Sequence, residues 1–214
     1  MFEEVISKNA KESLAILGRS KILKDCYMAG GTGLALQINH RFSYDFDFFT
    51  SKEFNANILS QRIKKTVSDF KLERTDWGTV LGAINGTRFS LFFYDYPLLF
   101  EPSSFLGTKI ANIKDIAAMK IAAISDRGAK KDFVDLYFII EVEKVLSLQD
   151  CLALYDRKFK VLEQNKPHVL KSLTYFDDAD KEGELRMIKD AQWKNVKAFF
   201  KREVKKISSN LFTG

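Results

Sequence analysis

The stretch FSYDFDFF, residues 42–49, constrains this chain more than any other. Tyr44, Phe46 and Phe48 fall on one parity, and Asp45 and Asp47 on the other. Alternation with a period of two marks a β-strand with one buried face. The segment therefore predicts a sheet whose other face is acidic. Residues two apart on a strand project from one side, with Cα atoms roughly 6.5–7 Å apart. Two ionised carboxylates that close repel each other. A divalent cation relieves the repulsion, and Mg²⁺ is held by one or two protein carboxylates with waters and substrate phosphates completing its shell. In isolation, a solvated edge strand with an acidic outer face explains the same pattern.

Upstream, an apolar segment DCYMA (25–29) reads as a strand and runs into Gly30-Gly31-Thr32, then an apolar helical stretch from Leu34 to Ile38. Paired glycines let a backbone approach a ligand closely. Thr32 has the chemistry of a helix cap, and a helix N-terminus attracts phosphate. A plain capped turn is the simpler reading of these three residues alone. The order strand, Gly-Gly, helix, strand, Asp-x-Asp carries more. It puts a phosphate cradle and a pair of metal ligands at the same end of a sheet, the positioning and charge neutralisation that phosphoryl or nucleotidyl transfer requires.

The rest of the chain sorts into regular elements. Residues 2–18 and 54–69 have helical spacing, and 71–77, 79–85 and 87–96 read as strands. Asn85-Gly86 is a hairpin signal. After Pro102 the chain reads as helical, with segments 113–127, 130–145, 148–162 and about 184–206. Mixed α/β followed by helices predicts an α/β (α+β) core, residues 1–105, and a helical C-terminal region, residues 106–214. No run is long and apolar enough to span a membrane, and MFEEVISKNAKESL lacks the apolar core of a signal peptide, so a cytoplasmic protein is expected.

Two cysteines and two histidines, scattered along 214 residues, argue against a disulfide framework or a zinc site. The net charge of +6 permits a polyanionic partner. Between Arg186 and Lys206 there are eight Lys or Arg against Asp190 and Glu203, which makes that segment the candidate electrostatic footprint.

Two more features carry possible chemistry. Lys120 sits in the run IAAMKIAAI, on a helical seam with Ile113, Ala117 and Ile124. Such a lysine either snorkels or meets an anion, and a triphosphate is one. Asp132 and Asp135 lie three apart on the following helix. Asp132 is positioned to orient an acceptor hydroxyl, assist a metal, or pair with Lys120 or Arg127. Asp135 reads as structural.

In this order, MAGGTGLALQINHRFSYDFDFF (28–49), FFYDYPLL (92–99) and KIAAISDRGAKKDFVDLYFI (120–139) resemble the nucleotidyl transferase AbiEii/AbiGii toxin family. The resemblance spans about residues 25–140. It implies a minimal polymerase-beta-like nucleotidyltransferase core with a mixed sheet and a helical C-terminal region. It implies a toxin of a toxin–antitoxin or phage-defence system, encoded beside an antitoxin, that uses an NTP and, in some members, modifies the acceptor end of tRNA. By matching motifs, Gly30, Gly31 and Thr32 would contact the triphosphate, Asp45 and Asp47 would bind Mg²⁺, Lys120 would bind phosphate, and Asp132 would be the late catalytic carboxylate. His40, Arg41 and Ser43 lie in the same block, and by the resemblance would help hold the nucleotide. One departure stands out: Ser90 occupies a place in TRFSLFFYDY where an acid is expected, and Asp95 has the opposite parity.

Two alternatives use the same residues. A phosphotransferase would attack the γ-phosphorus and release a nucleoside diphosphate. A non-catalytic module would grip nucleotide or a partner protein without turnover.

Overall fold

The acid–aromatic strand forms as its alternation dictates. It is β2, Asp45–Thr50, and it lies inside a mixed seven-stranded sheet. The computed structural model describes residues 1–212 and, of residues 162–164 and 210–212, the backbone alone. The chain divides into two compact units, Met1–Asn112 and Ile113–Gly214.

The first unit holds the whole sheet. Its other strands are β1 (Tyr27–Met28), β3 (Phe70–Asp76), β4 (Thr79–Ile84), β5 (Thr87–Phe93), β6 (Ser103–Phe105) and β7 (Thr108–Ile110). The order across the sheet is β3-β4-β5-β2-β1-β7-β6. β2 runs parallel to β5 and antiparallel to β1, and β1 runs parallel to β7. The hairpin at Asn85-Gly86 forms as predicted, with both residues at positive φ (49° and 77°), the geometry that matches strand twist in a two-residue turn.

Helices α1 (Lys8–Ser20), α2 (Gly30–Ile38) and α3 (Ala56–Thr66) complete this unit. Phe46 and Phe48 of β2, Phe89 and Leu91 of β5, Val80 and Ile84 of β4, Met28 and Ile110 build one buried core with Leu14 and Leu17 of α1 and Ile63 of α3. At about 25 cal/mol per Å² of buried apolar area, each fully buried aromatic contributes roughly 2–3 kcal/mol before entropy is counted. That apolar face fixes the register, because a one-residue slip would exchange Phe46 and Phe48 for the aspartates.

Several expectations shift. The first helix starts at Lys8, capped by Ser7 and preceded by a 3-10 turn at Glu3–Val5. Tyr44 does not join Phe46 and Phe48: the strand begins one residue later, and Tyr44 is 46% exposed, stacked on Phe42. Residues 103–110 form the β6–β7 hairpin rather than helix. Its turn, with Leu106 and Gly107 at positive φ, closes against Gly18 of α1, where a Cβ would strike the Leu106 carbonyl.

The second unit is helical: α4 (Ile113–Arg127), α5 (Lys130–Tyr137) continued by a π-helical turn Phe138–Val142, α6 (Leu148–Phe159), α7 (Leu162–Ser172) and α8 (Trp193–Phe212). The last helix starts at Trp193 and not near 184, and α7 is an element that the apolar spacing did not mark. Phe133 centres an aromatic cluster with Phe176, Trp193 and Phe200, at ring separations of 5.1, 5.9 and 5.3 Å. Lys158 of α6 donates to Asp115 of α4 at 3.0 Å, both fully buried. Among the described residues no helix is long and apolar enough to cross a membrane.

Candidate active site

Asp45 and Asp47 stand on the face of β2 opposite its core aromatics, and both are half-buried. In the parallel pairing with β5, Asp45 is level with Arg88 and Asp47 with Ser90. Paired residues of parallel strands project from the same face. Arg88 therefore shares the acidic face with Asp45, and it is exposed. Ser90 is the residue level with Asp47, so β5 brings a hydroxyl to that position. Asp95 lies beyond the end of β5.

The glycines are the first two residues of α2, not a turn before it. Gly30 adopts φ +64°, and a Cβ there would lie 2.8 Å from Asp47 Oδ2. A Cβ on Gly31 would strike the Arg41 guanidinium and come within 3.2 Å of Ser43 Oγ. The pair thus makes room for the protein's own Asp47 and Arg41 at the start of the helix. This is a close approach of a carboxylate and a guanidinium to the positive end of a helix dipole.

Thr32 is not a cap. Ala29 holds the N-cap position, with no side-chain bond to the helix end. Thr32 is 1% exposed, and its Oγ1 donates to the Asp45 carbonyl and is hydrogen-bonded to Ser43 Oγ at 2.8 Å. Together with the bond from the Ala29 amide to the Asp47 carbonyl, 3.0 Å, it fastens the start of α2 to β2. His40 and Arg41 are buried, and Arg41 donates to the Phe42 carbonyl at 3.1 Å.

Among the described residues no set of three His, Cys, Asp or Glu side chains is arranged to hold a metal. A divalent ion here would rest on two carboxylates, with water and phosphate oxygens filling its shell. That donor set suits Mg²⁺ when a phosphate accompanies it.

The other predicted residues belong to the second unit. Lys120 of α4 is 4% exposed, and its Nζ lies 2.7 Å from Asp132 Oδ1 and 2.6 Å from Asp135 Oδ2. Arg127 adds Nε to Asp132 Oδ2 at 2.9 Å and Nη2 to Asp132 Oδ1 at 3.2 Å. Burial pushes the Asp132 carboxyl up, but Lys120 and Arg127 outweigh it and hold the group below the ordinary carboxylate range. Four charges, two of each sign, thus close on one another.

At least four of the eight cations in the basic C-terminal segment pair with acids. Lys189 pairs with Glu143, Lys197 with Asp180, Arg202 with Glu141 and Glu203, and Lys206 with Glu203. Lys201 lies over the Phe176 ring at 5.9 Å. Part of the charge read from those eight cations is therefore matched, mostly by acids from other parts of the chain.

Sequence reasoning missed Arg88, whose strand parity places it beside Asp45 once the β2–β5 register is known. It also missed the aromatic neighbours of Asp47. Phe49 stacks near Tyr27 at 5.9 Å and Phe92 at 5.7 Å, and meets Tyr94 edge-on at 5.3 Å.

The family profile "Nucleotidyl transferase AbiEii toxin, Type IV TA system" matches residues 13–88 and 92–210. An uncharacterized protein of Aquifex aeolicus (strain VF5), aq_aa25, is 38% identical over 216 residues, covering 96% of this chain and 98% of its own. Two crystal structures from Helicobacter pylori are similar in fold. One is a proposed nucleotidyltransferase, at 20% identity and a TM-score of 0.53, covering 100% of this chain and 98% of that one. The other is JHP933, at 21% identity and a TM-score of 0.52, covering 97% of each. The mixed sheet with its helical region is the fold of polymerase-beta-like nucleotidyltransferases.

Proposed function

The chain belongs to the nucleotidyl transferase AbiEii toxin family, and from that premise we propose that it moves a nucleoside monophosphate from a Mg²⁺-bound NTP onto a hydroxyl of an RNA acceptor. The observation that carries this reading is the placement of Asp47 Oδ2 directly over Gly30 at the start of α2, with Asp45 beside it on β2. Metal-binding carboxylates and a phosphate-binding helix end then share one patch of the sheet.

In this reading Asp45 and Asp47 hold the cation, and the α2 amide end, Arg41 and Arg88 take up the charge of the triphosphate. When bound, the cation supplies neutralisation of charge on the phosphoryl oxygens. The acceptor oxygen attacks the α-phosphorus, the bond to the bridging oxygen breaks, pyrophosphate leaves, and the acceptor's proton passes to solvent. The resemblance assigns Lys120 to phosphate and Asp132 to the late carboxylate; both stand in the second unit, where Lys120 is held by Asp132 and Asp135. The expected tRNA acceptor, a cognate antitoxin and a role in phage defence rest on the family alone.

The test is incubation of the pure protein with Mg²⁺, each α-³²P-labelled NTP in turn, and total tRNA, beside Asp47→Ala. Label on RNA that disappears in the variant supports the reading. Intact NTP binding with no label on any RNA or on the protein overturns it in favour of a non-catalytic module. Release of a nucleoside diphosphate instead of pyrophosphate points to attack at the γ-phosphorus.

A further inference from the structure

Three lysines are buried among the described residues, and two of them rest on buried carboxylates: Lys120 on Asp132 and Asp135, Lys158 on Asp115. Lys130 is the third, 4% exposed, and its ammonium is met differently. Nζ donates to the carbonyls of Glu182 at 2.8 Å and Gly183 at 3.3 Å, and it lies 5.6 Å from the centre of the Trp193 ring. The Glu184 carboxylate, 3.7 Å away, is exposed. A buried cation matched by dipoles and an exposed acid is costly. An apolar side chain would fill the same space against Trp193 at less cost. What the ammonium adds is a grip on backbone 52 positions further along the chain.

The grip is reciprocal. α5 starts at Lys130, and Ala129 at its N-cap makes no side-chain bond to the helix end. The Glu182 carboxylate takes that role from a distance, its Oε2 accepting from the Lys130 amide at 3.1 Å. The chain enters α5 from α4 through Gly128, at φ +57°, and Ala129 alone. A glycine link sets no orientation by itself, so the first turn of α5 takes its bearing from outside. Segment 179–184 is itself anchored. Asp180 accepts from Trp193 Nε1 at 2.6 Å and from Lys197 Nζ at 2.9 and 3.1 Å. Trp193 in turn packs on Phe133 of α5, with ring centres 5.9 Å apart. The first turn of α5 is thus held in a closed circuit that runs through the segment and α8. Asp132 stands in that turn, roughly 3 Å along the axis from Lys130. Its carboxylate is fully buried between Lys120 and Arg127.

We propose that Lys130, through segment 179–184, is a positioning residue that sets where the Asp132 carboxylate stands between Lys120 and Arg127. This rests on the nucleotidyl-transfer reading above, in which Asp132 is the late carboxylate. Lys130 touches neither nucleotide nor acceptor in this account and acts through α5.

The test uses the full chain and cuts the tether at two separate points, Lys130→Met and Glu182→Ala. Glu182→Gln keeps an acceptor for the Lys130 amide. Lys181→Met removes an exposed residue of the same segment that pairs with Asp178. Thermal melts set a temperature at which every variant is folded. The ¹H–¹⁵N signal of Arg127 Nε, which donates to Asp132 Oδ2 at 2.9 Å, reports where the carboxylate stands and needs no turnover. Its loss in Arg127→Lys assigns it. Pyrophosphate release with Mg²⁺, total tRNA and each NTP in turn gives kcat and the NTP KM. Lys130→Met and Glu182→Ala are expected to shift the Arg127 signal and to lower kcat roughly ten- to a hundredfold, the effect of a displacement near 1 Å. The NTP KM should hold, and Glu182→Gln and Lys181→Met should behave as wild type. An Arg127 signal unmoved in both cut variants overturns the proposal. So does a moved signal with kcat unchanged, which would leave Lys130 a purely structural residue. A wild type that releases no pyrophosphate with any NTP overturns the nucleotidyl-transfer reading instead, and the Arg127 signal then decides the placement of Asp132 on its own.

Discussion

A Cβ added to Gly30 would lie 2.8 Å from Asp47 Oδ2, and Gly30 is held at φ +64°. The proposed metal ligand and the start of α2 are therefore in contact because one side chain is missing. Gly86 has φ +77° but open space around its Cβ position. Both positions strain any L side chain, so Gly30→Ala and Gly86→Ala should each lose about 1 kcal/mol of stability or somewhat more. Only Gly30→Ala displaces Asp47. Its Mg·NTP affinity should fall at least about tenfold while Gly86→Ala binds as wild type. Equal affinities in calorimetric titrations would detach the glycine from the site.

Ser90 sits level with Asp47 across the β2–β5 pair. Ser90→Asp adds a third carboxylate to that face. Without a divalent ion the variant should be less stable by roughly 1 kcal/mol, as like charges directly across a pair repel. With Mg²⁺ it should recover more than the wild type gains, since a binder of the native state stabilises by mass action. Melting curves with and without the ion decide. A Mg²⁺-induced rise no larger than in wild type would mean that Asp45 and Asp47 do not hold the metal.

Lys120 lies between two fully buried carboxylates, Asp132 and Asp135. Lys120→Met leaves both without their shared cation and should cost about 3–5 kcal/mol. The double variant Lys120→Met/Asp135→Leu should recover much of that loss. If Lys120 also serves a phosphate, the double variant refolds without regaining activity. A stable and active double variant would confine Lys120 to the structural cluster.

The depressed Asp132 carboxyl has a pH consequence. Its folded pKa lies below the unfolded value of about 3.9. The stability it adds is present above that value and is lost as pH falls through the folded pKa. Trp193 packs on Phe133, next to Asp132 in the chain. Trp193 emission should report acid unfolding beginning below about pH 4 in the wild type, and a flatter dependence there in Asp132→Asn. Superimposable acid limbs would remove the carboxylate from that transition.

Cys26 and Cys151 are buried, and burial pushes both thiols up to about 12. Thiolate is the reactive form. Neither should react with a thiol reagent at pH 8 in the folded protein, and both should react promptly in denaturant. Fast labelling under native conditions would contradict the packing around them.

What the sequence disclosed, and what it hid, follows from range. The parity of Asp45 and Asp47 and the Asn85-Gly86 hairpin are local, and both read directly. Tyr44 misled because parity continues through a residue that the strand does not include. β6 and β7 are three residues each, too short for alternation to register, and the β1–β7 pairing that enlists them is long-range. Thr32 has the chemistry of a cap, yet its hydroxyl is taken by the Asp45 carbonyl, thirteen positions away. The cations between Arg186 and Lys206 looked like a surface charge because Glu141, Glu143 and Asp180, which pair with three of them, lie elsewhere in the sequence.

β2 supplies core and chemistry from alternating residues of one strand. Phe46 and Phe48 cannot leave the interior without carrying Asp45 and Asp47 out of place. For a toxin this couples harm to foldedness. Unfolding that frees Phe46 and Phe48 therefore takes the carboxylate pair apart in the same step.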